Sequence, residues 1–263
     1  MSNSAWWGNI PFALDEVQRW QLASLTLQIQ RVAQEWQISH HRQNNQHEDE
    51  HDWRLLPPLD DETMPEKSVL QRHIFNQTSS HITLKPQLAD RSVVIKPITP
   101  LFIAPNQQTT LFVSTPLWLN VFTSDDSLLL DTPVIKPTET WFGSTPIRGE
   151  LCYATKVFAR LDLEQLQIRS FRAVTPIHIT NHHTQSMPIE RINIPAPLLS
   201  LYAGDDGRLW TPTLEVEQLS YGRAPKIHLS KQLYDRAGNV KLLNNARQNN
   251  PENLIHLFEN FFN

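Results

Sequence analysis

The sequence predicts an all-β protein: an antiparallel β-sandwich, as one domain or as two packed β-lobes, with a short C-terminal helix. From residue 81 onward short β-like runs follow one another with Pro, Asn, Asp or Gly between them, a rhythm typical of all-β folds. The 19 prolines outnumber the 7 glycines, and proline at this density ends strands often. A hydrophobic fraction of 40% is ordinary for a globular protein, so the chain can bury a core.

Residues 1–42 predict an N-terminal β-hairpin that packs on the main domain. Apolar and polar residues alternate over 25–30, as they do in a half-buried strand. Trp20 falls on the opposite parity, which predicts a bulge near residues 23–24. A turn near residues 33–34 then leads into the returning strand.

Residues 43–80 predict an acidic, proline-containing linker or loop. The stretch 48–52 is rich in carboxylates, and Pro57, Pro58 and Pro65 follow it. Such a segment buries too little apolar surface to order itself.

Residues 81–248 predict the β-sandwich domain. The run 117–122 is apolar on both faces, which is expected of a central strand covered on both sides. Gly204 to Gly207 predict a hairpin turn, because Gly and Asp tolerate the backbone angles of such turns. The other strands are predicted at 92–96, 101–104, 110–114, 128–130, from 151, and at 166–172, 177–181, 190–194, 198–202, 209–216 and 226–230.

Residues 249–263 predict a C-terminal amphipathic helix. Asn250 suits the N-cap, and Pro251 suits the first helical position. The apolar residues that recur at helical spacing are Leu254, Leu257, Phe258, Phe261 and Phe262. We expect this stripe to pack on the sheet or on a partner.

Charge and cysteine content exclude some kinds of site and some classes of partner. Residues 1–80 hold 6 Lys or Arg against 11 Asp or Glu, and residues 81–263 hold 17 against 16. No broad basic field for nucleic acid results. Cys152 is the only cysteine, which excludes an intramolecular disulfide and a thiolate-rich zinc site and favours a reducing compartment. Without a signal-peptide pattern or an 18-residue apolar run, we expect a cytoplasmic protein with no membrane insertion.

Two histidine patterns were weighed as metal sites. His47 to His51 read H-E-x-x-H, the zinc-protease pattern, but a helix of this polar composition has nothing to pack against, so a solvated loop is favoured. His178, His182 and His183 lie in or beside one predicted strand, and imidazoles at such spacing are the remaining metal candidates. Because solvent-facing histidines are common, we assign no metal, no other cofactor and no catalytic residue.

A binding region is predicted around Trp141. The turn from residue 139 to 146 contains one of the seven glycines, and aromatic and charged residues surround it. A rim of aromatic, Arg and carboxylate side chains suits binding. Cys152 lies inside a strand there, where a buried, unreactive thiol is expected. The candidates are Trp141, Phe142, Arg148, Glu150 and Tyr153.

Several motifs resemble a bacterial and archaeal family known as a domain of unknown function. They are Trp-Trp-Gly at 6–8, Val-Ser-Thr-Pro-Leu-Trp-Leu at 113–119, Thr-Trp-Phe-Gly at 140–143, Gly-Glu-Leu-Cys-Tyr-Ala at 149–154, Arg-Ala-Val-Thr-Pro at 172–176 and Pro-Ile-Glu-Arg at 188–191. The resemblance implies no activity, cofactor or catalytic residue. Arg172, Glu190 and Arg191 are further binding candidates. The resemblance associates the chain with genes for small mechanosensitive channels, which implies a partner at the cytoplasmic face of a membrane.

The sequence therefore favours a non-enzymatic protein-interaction module whose partner is another protein, with homo-oligomerisation left open. β-Sandwiches without catalytic signatures commonly serve recognition. Two alternatives stay open at this point. One is a carbohydrate or small-molecule binding module that uses exposed tryptophans such as Trp141 and Trp210. The other is a metal-dependent enzyme built on His178 to His183.

Overall fold

The computed structural model describes residues 5–42, 52–59, 65, 67–143, 149–157, 159–218, 226–230 and 233–248. Within these ranges the chain is all-β, as predicted, and its only helical elements are 3-10 turns at Leu163–Gln165, Ala196–Leu198 and Asp235–Ala237. The predicted C-terminal helix at 249–263 lies outside the described residues.

None of the helices found in the described ranges is long and apolar enough to cross a membrane.

Contacts between Cα atoms divide the chain into two units. Unit 1 comprises Met1–Gln87 and Leu117–Lys136, and unit 2 comprises Leu88–Pro116 and Pro137–Asn263. Along the sequence the chain thus passes from unit 1 to unit 2, back to unit 1, and then to unit 2 again. These boundaries differ from the predicted division at residues 42, 80 and 248.

Unit 1 contains two antiparallel sheets. The five-stranded sheet has the order β5-β2-β3-β4-β6, and the four-stranded sheet has the order β1-β7-β11-β12. The strands are β1 (Gly8–Pro11), β2 (Val17–Leu22), β3 (Leu25–Val32), β4 (Glu35–Arg42), β5 (Trp53–Leu56), β6 (Val69–Ile74), β7 (His81–Gln87), β11 (Trp118–Thr123) and β12 (Leu128–Pro133).

The N-terminal hairpin has a turn where a bulge was predicted. β2 ends at Leu22 and β3 begins at Leu25, with Ala23 at a φ of 46° between them. Trp20 lies directly opposite Leu27, so both point to the same face in spite of their opposite parity. The parity change comes from reversal of the chain, because opposed residues of antiparallel strands share a face.

Two strands lie inside the segment predicted to be a linker. β5 pairs with β2, and β6 pairs with β4, so they form the two edges of the five-stranded sheet. An edge strand needs a partner on one side only, so a polar sequence with a few apolar residues suffices there.

Unit 2 is predominantly antiparallel and contains three sheets. A seven-stranded sheet has the path β21-β20-β15-β19-β18-β22 with β10 beside β15, and smaller sheets have the orders β13-β14-β8-β17 and β16-β9. The strands are β8 (Val93–Pro97), β9 (Leu101–Ile103), β10 (Gln108–Pro116), β13 (Thr138–Phe142), β14 (Glu150–Val157), β15 (Arg172–Asn181), β16 (Met187–Ile189), β17 (Ile192–Ile194), β18 (Leu201–Gly204), β19 (Leu209–Trp210), β20 (Leu214–Gln218), β21 (Lys226–Leu229) and β22 (Val240–Asn244).

Two predicted strands of unit 2 differ in the structure. The run 209–216 is divided into β19 and β20, which pair with β15 in parallel, because Pro212 between them has no N–H to donate to a ladder. Residues 166–171 form no strand, and β15 begins only at Arg172.

Candidate binding surface

The β13–β14 hairpin brings Trp141 and Leu151 together. The two residues are directly opposed in the antiparallel ladder. Glu139 and Tyr153, each two residues away on its own strand, are opposed in the same way. All four side chains therefore share one face, since opposed residues and residues two apart point the same way. Trp141 is 45% exposed and Leu151 is 44% exposed. We name this face, together with Asp90 and Arg91, the Trp141 surface.

Charged groups complete the Trp141 surface. The Tyr153 hydroxyl donates to Asp90 Oδ1 at 3.0 Å, and Arg91 Nη1 donates to Glu139 Oε1 at 2.8 Å. The Arg91 guanidinium carbon also lies 5.4 Å from the centroid of the Tyr153 ring, within the range of a cation–π contact. The side chains thus form one connected network beside the apolar pair.

The network reinforces the protonated states that Tyr153 and Arg91 ordinarily have near neutral pH. Burial raises the pKa of Tyr153, and its hydrogen bond to Asp90 raises it further. The hydrogen bond to Glu139 raises the pKa of Arg91. Near neutral pH the phenol is therefore a hydrogen-bond donor, and the guanidinium is charged.

A glycine makes room for the tryptophan. Gly149 immediately precedes β14, and a Cβ at this position would lie 2.6 Å from the Phe142 carbonyl oxygen and 2.7 Å from Trp141 Nε1. Real Cβ atoms are not found at such distances from neighbouring atoms, so a side chain at residue 149 would displace the indole. Gly149 thereby defines the position of Trp141.

Phe142 and Glu150, two other predicted site residues, lie on the opposite face of the hairpin. Phe142 is buried against Val94 and Cys152, and Glu150 accepts a hydrogen bond from Asn193 Nδ2 at 2.8 Å. Consecutive strand residues point to opposite faces, so Trp141 and Phe142 cannot serve the same surface. Their proximity along the chain predicted one shared surface, and this prediction is wrong.

The remaining candidates are dispersed. The Arg191 guanidinium carbon lies 5.7 Å from the Phe142 ring centroid, on the face away from Trp141. Arg172 begins β15 in the seven-stranded sheet and donates to the Ser114 carbonyl oxygen. Glu190 is exposed between β16 and β17, and Arg148 lies outside the described residues.

The predicted metal candidates have local hydrogen bonds. His178 Nδ1 lies 3.1 Å from Thr110 Oγ1 on the neighbouring strand, and His183 Nδ1 accepts from the Gln185 N–H at 3.0 Å. His182 is exposed. Within the described ranges no three His, Cys, Asp or Glu side chains form a group that could hold a metal ion. The H-E-x-x-H residues at 47–51 lie outside those ranges.

Sequence reasoning missed Leu151, Glu139, Asp90 and Arg91. The alternation in β14 could have identified Leu151, because it has the same parity as Tyr153. Asp90 and Arg91 carry no such signal. They reach the surface because the strand that follows them, β8, pairs in parallel with β14.

A family model described as "Protein of unknown function (DUF432)" matches residues 6–262. No curated protein and no solved structure matches the chain. Because the match spans nearly all of the sequence, the resemblance of the motifs is confirmed. The chain belongs to the family of proteins of unknown function named DUF432.

Proposed function

We propose that this protein is a non-enzymatic interaction module that binds another protein through the Trp141 surface. The observation that supports this proposal is the pair of exposed apolar side chains, Trp141 and Leu151, which lie side by side on one hairpin. Tryptophan at the centre of a surface, bordered by Tyr and Arg, is the composition of binding hot spots. In this proposal the sheets pack as β-sandwiches, and the module works in the cytoplasm as partner of a membrane protein.

Restricted motion of the surface favours binding. The indole of Trp141 fills the volume that a Cβ on Gly149 would take, and Arg91 is held by Glu139 and the Tyr153 ring. Side chains that are ordered before a partner arrives lose less conformational entropy on association. A preorganised aromatic residue contributes more of its buried area to affinity than a mobile one does.

The edge position of β13 supplies a second mode of contact. β13 is the first strand in the order β13-β14-β8-β17, so its outer edge has no strand beside it in the described part of the chain. An extended partner segment can add to such an edge by main-chain hydrogen bonds while its side chains meet Trp141.

The sugar-platform alternative required Trp141 and Trp210 to be exposed together. Trp210 is fully buried in a cluster with Phe112, Val174 and Leu163, so it cannot stack on a sugar ring. Trp141 alone is compatible with a small ligand, but its exposed apolar neighbour Leu151 fits a protein surface better.

The test is a quantitative cross-linking experiment in cells, with the membrane fraction included. A photoreactive residue at Thr155, on β14 and on the same face as Leu151 and Tyr153, labels whatever binds that face of the hairpin. We expect one protein to be labelled, with labelling reduced at least tenfold by Trp141→Ala and by Leu151→Ser, because truncation of a hot-spot residue costs about 2 kcal/mol or more. Identification of a membrane protein would support the proposed location.

Ile168→Ser is the matched control. Ile168 is 50% exposed in unit 2 and is not part of the Trp141 surface, so its replacement removes a similar apolar area elsewhere. Labelling that is equal in Trp141→Ala, Leu151→Ser and Ile168→Ser would contradict the proposal.

A further inference from the structure

β6 presents an exposed apolar edge in unit 1. It pairs with β4 at one edge of the five-stranded sheet. Three of its six side chains are large, apolar and exposed: Val69 at 49%, Leu70 at 56% and Ile74 at 79%. A row of this kind on an edge strand is a surface for pairing with a further strand.

Apart from Arg72, β6 lacks the features by which edge strands avoid association. Such strands usually carry proline, lysine or a bulge. β6 contains neither Pro nor Lys, and its pairing with β4 runs from Val69 to Ile74 without a register shift. The other edge of the same sheet is different, because β5 has only four residues and is followed by Pro57 and Pro58. Association through this sheet therefore favours β6.

The single formal charge of β6 is neutralised within unit 1. Arg72 donates from Nε and Nη2 to the two carboxylate oxygens of Glu35, both at 3.0 Å. Hydrogen bonds from Gln37 and Arg72 also lower the pKa of Glu35, so the pair stays ionised below neutral pH. Two copies of this edge can therefore approach each other without net repulsion.

We propose that β6 pairs with β6 of a second copy of this chain, antiparallel and around a two-fold axis at Arg72. The order of side chains along β6 fits this symmetry. Leu70 would be opposed to Ile74 of the partner subunit, and Gln71 would be opposed to His73 of the partner subunit, so apolar meets apolar and polar meets polar. A two-fold axis perpendicular to the sheet repeats both contacts and closes the assembly as a dimer.

The proposed interface is small, so we expect weak association of the two copies. Six residues a side lie at the low end of specific interfaces, so we expect a concentration-dependent dimer with a Kd on the order of 10 μM. Sedimentation velocity of the full chain measures this directly. The weight-average mass should rise from the monomer value of 30.4 kDa towards twice that value as concentration increases.

Leu70→Lys and Ile74→Lys should each raise the Kd at least tenfold, because each variant places two lysines in the interface by symmetry. Leu55→Lys is the matched control: Leu55 is 63% exposed on β5, the opposite edge of the same sheet, and its replacement should leave the Kd unchanged. A monomer at all concentrations, or a dimer that persists in both β6 variants, would overturn the proposal.

Disulfide trapping tests the register of the pairing independently of the lysine variants. Cys152 is buried, so an introduced cysteine is the accessible thiol in the described part of the chain. Arg72→Cys should form an interchain disulfide on mild oxidation, because residues opposed across a two-fold axis have Cα atoms within disulfide range. Val69→Cys, at the end of β6, should not. The reverse pattern would refute pairing centred on Arg72.

Discussion

Gly149 and Trp141 share a space that admits only one side chain. A Cβ on Gly149 would lie 2.7 Å from Trp141 Nε1 and 2.9 Å from Cε2. The indole therefore occupies the volume that a side chain at residue 149 would take. The absence of a side chain at residue 149 leaves this volume to the indole, and Leu151 lies opposite Trp141 in the ladder.

Gly149→Ala should displace the Trp141 ring without removing it. We expect the indole N–H resonance of Trp141 to shift, partner labelling at Thr155 to fall, and the free energy of unfolding to decrease by about 1–3 kcal/mol, as in other overpacked sites. NMR of protein labelled with ¹⁵N at tryptophan measures the first effect. Gly207→Ala is the control, because Gly207 has a φ of 80° and no atom within 4 Å of a built Cβ. It should lose stability through backbone strain and leave the Trp141 resonance in place.

Asp206 should be a stabilising residue of unit 2. Its Oδ1 accepts from the Arg208 N–H at 3.0 Å and from Trp210 Nε1 at 3.2 Å, and its Oδ2 accepts from Arg208 Nη1. Asp206→Ala leaves the buried indole N–H of Trp210 without an acceptor, which should cost about 1–3 kcal/mol in urea unfolding. Glu164→Ala removes an exposed contact to the same Arg208 and should cost less than about 1 kcal/mol. Equal losses would contradict this assignment.

Two buried histidines should make unit 1 sensitive to acid. Burial lowers the pKa of His40 and of His41, and the nearby charges of Arg42 and Arg19 respectively lower them further. An unfolded histidine has a pKa of about 6.5, so below that pH the unfolded state binds protons that the folded state does not. The contribution to stability is full above about pH 6.5 and is lost as the pH falls below it. Urea midpoints measured between about pH 7.5 and 5 should therefore decrease.

Replacement of both histidines separates this effect from the titration of carboxylates. The double variant His40→Gln, His41→Gln removes the groups and should show a shallower decline between about pH 6.5 and 5 than the natural sequence does. An unchanged slope would show that other groups cause the acid sensitivity.

Cys152 should be inert in the folded protein. The side chain is fully buried, and burial raises the pKa of the thiol, with a further rise from the nearby Glu150 carboxylate. The thiolate is the nucleophile in alkylation, so we expect no reaction with iodoacetamide near pH 8 until guanidinium chloride unfolds the chain. Mass spectrometry counts the adduct. Rapid alkylation of the native protein would indicate that β14 opens locally.

The candidate site was only partly predictable from the sequence. Trp141 and Tyr153 were identified as binding candidates, and the structure places both on one exposed face. Phe142 and Glu150 were grouped with them because they are neighbours along the chain, but strand geometry directs them to the other face. Arg91 and Asp90 were missed, because they lie about fifty to sixty residues from Glu139 and Tyr153 in sequence.

What the sequence determined by itself is local: the rhythm of short β-like runs predicted the all-β class, and the alternation of apolar residues predicted the half-buried strand at 25–30. These follow from a side-chain period of two, which any short window of sequence reveals. Tertiary structure alone decided which strands are neighbours: it placed the segments 53–56 and 69–74, which had been predicted to be part of a linker, at the edges of a sheet and brought β8 beside β14. Strand pairing is made by backbone groups that every residue carries, so the sequence within a strand does not specify its partner, and only the packing of the whole chain does.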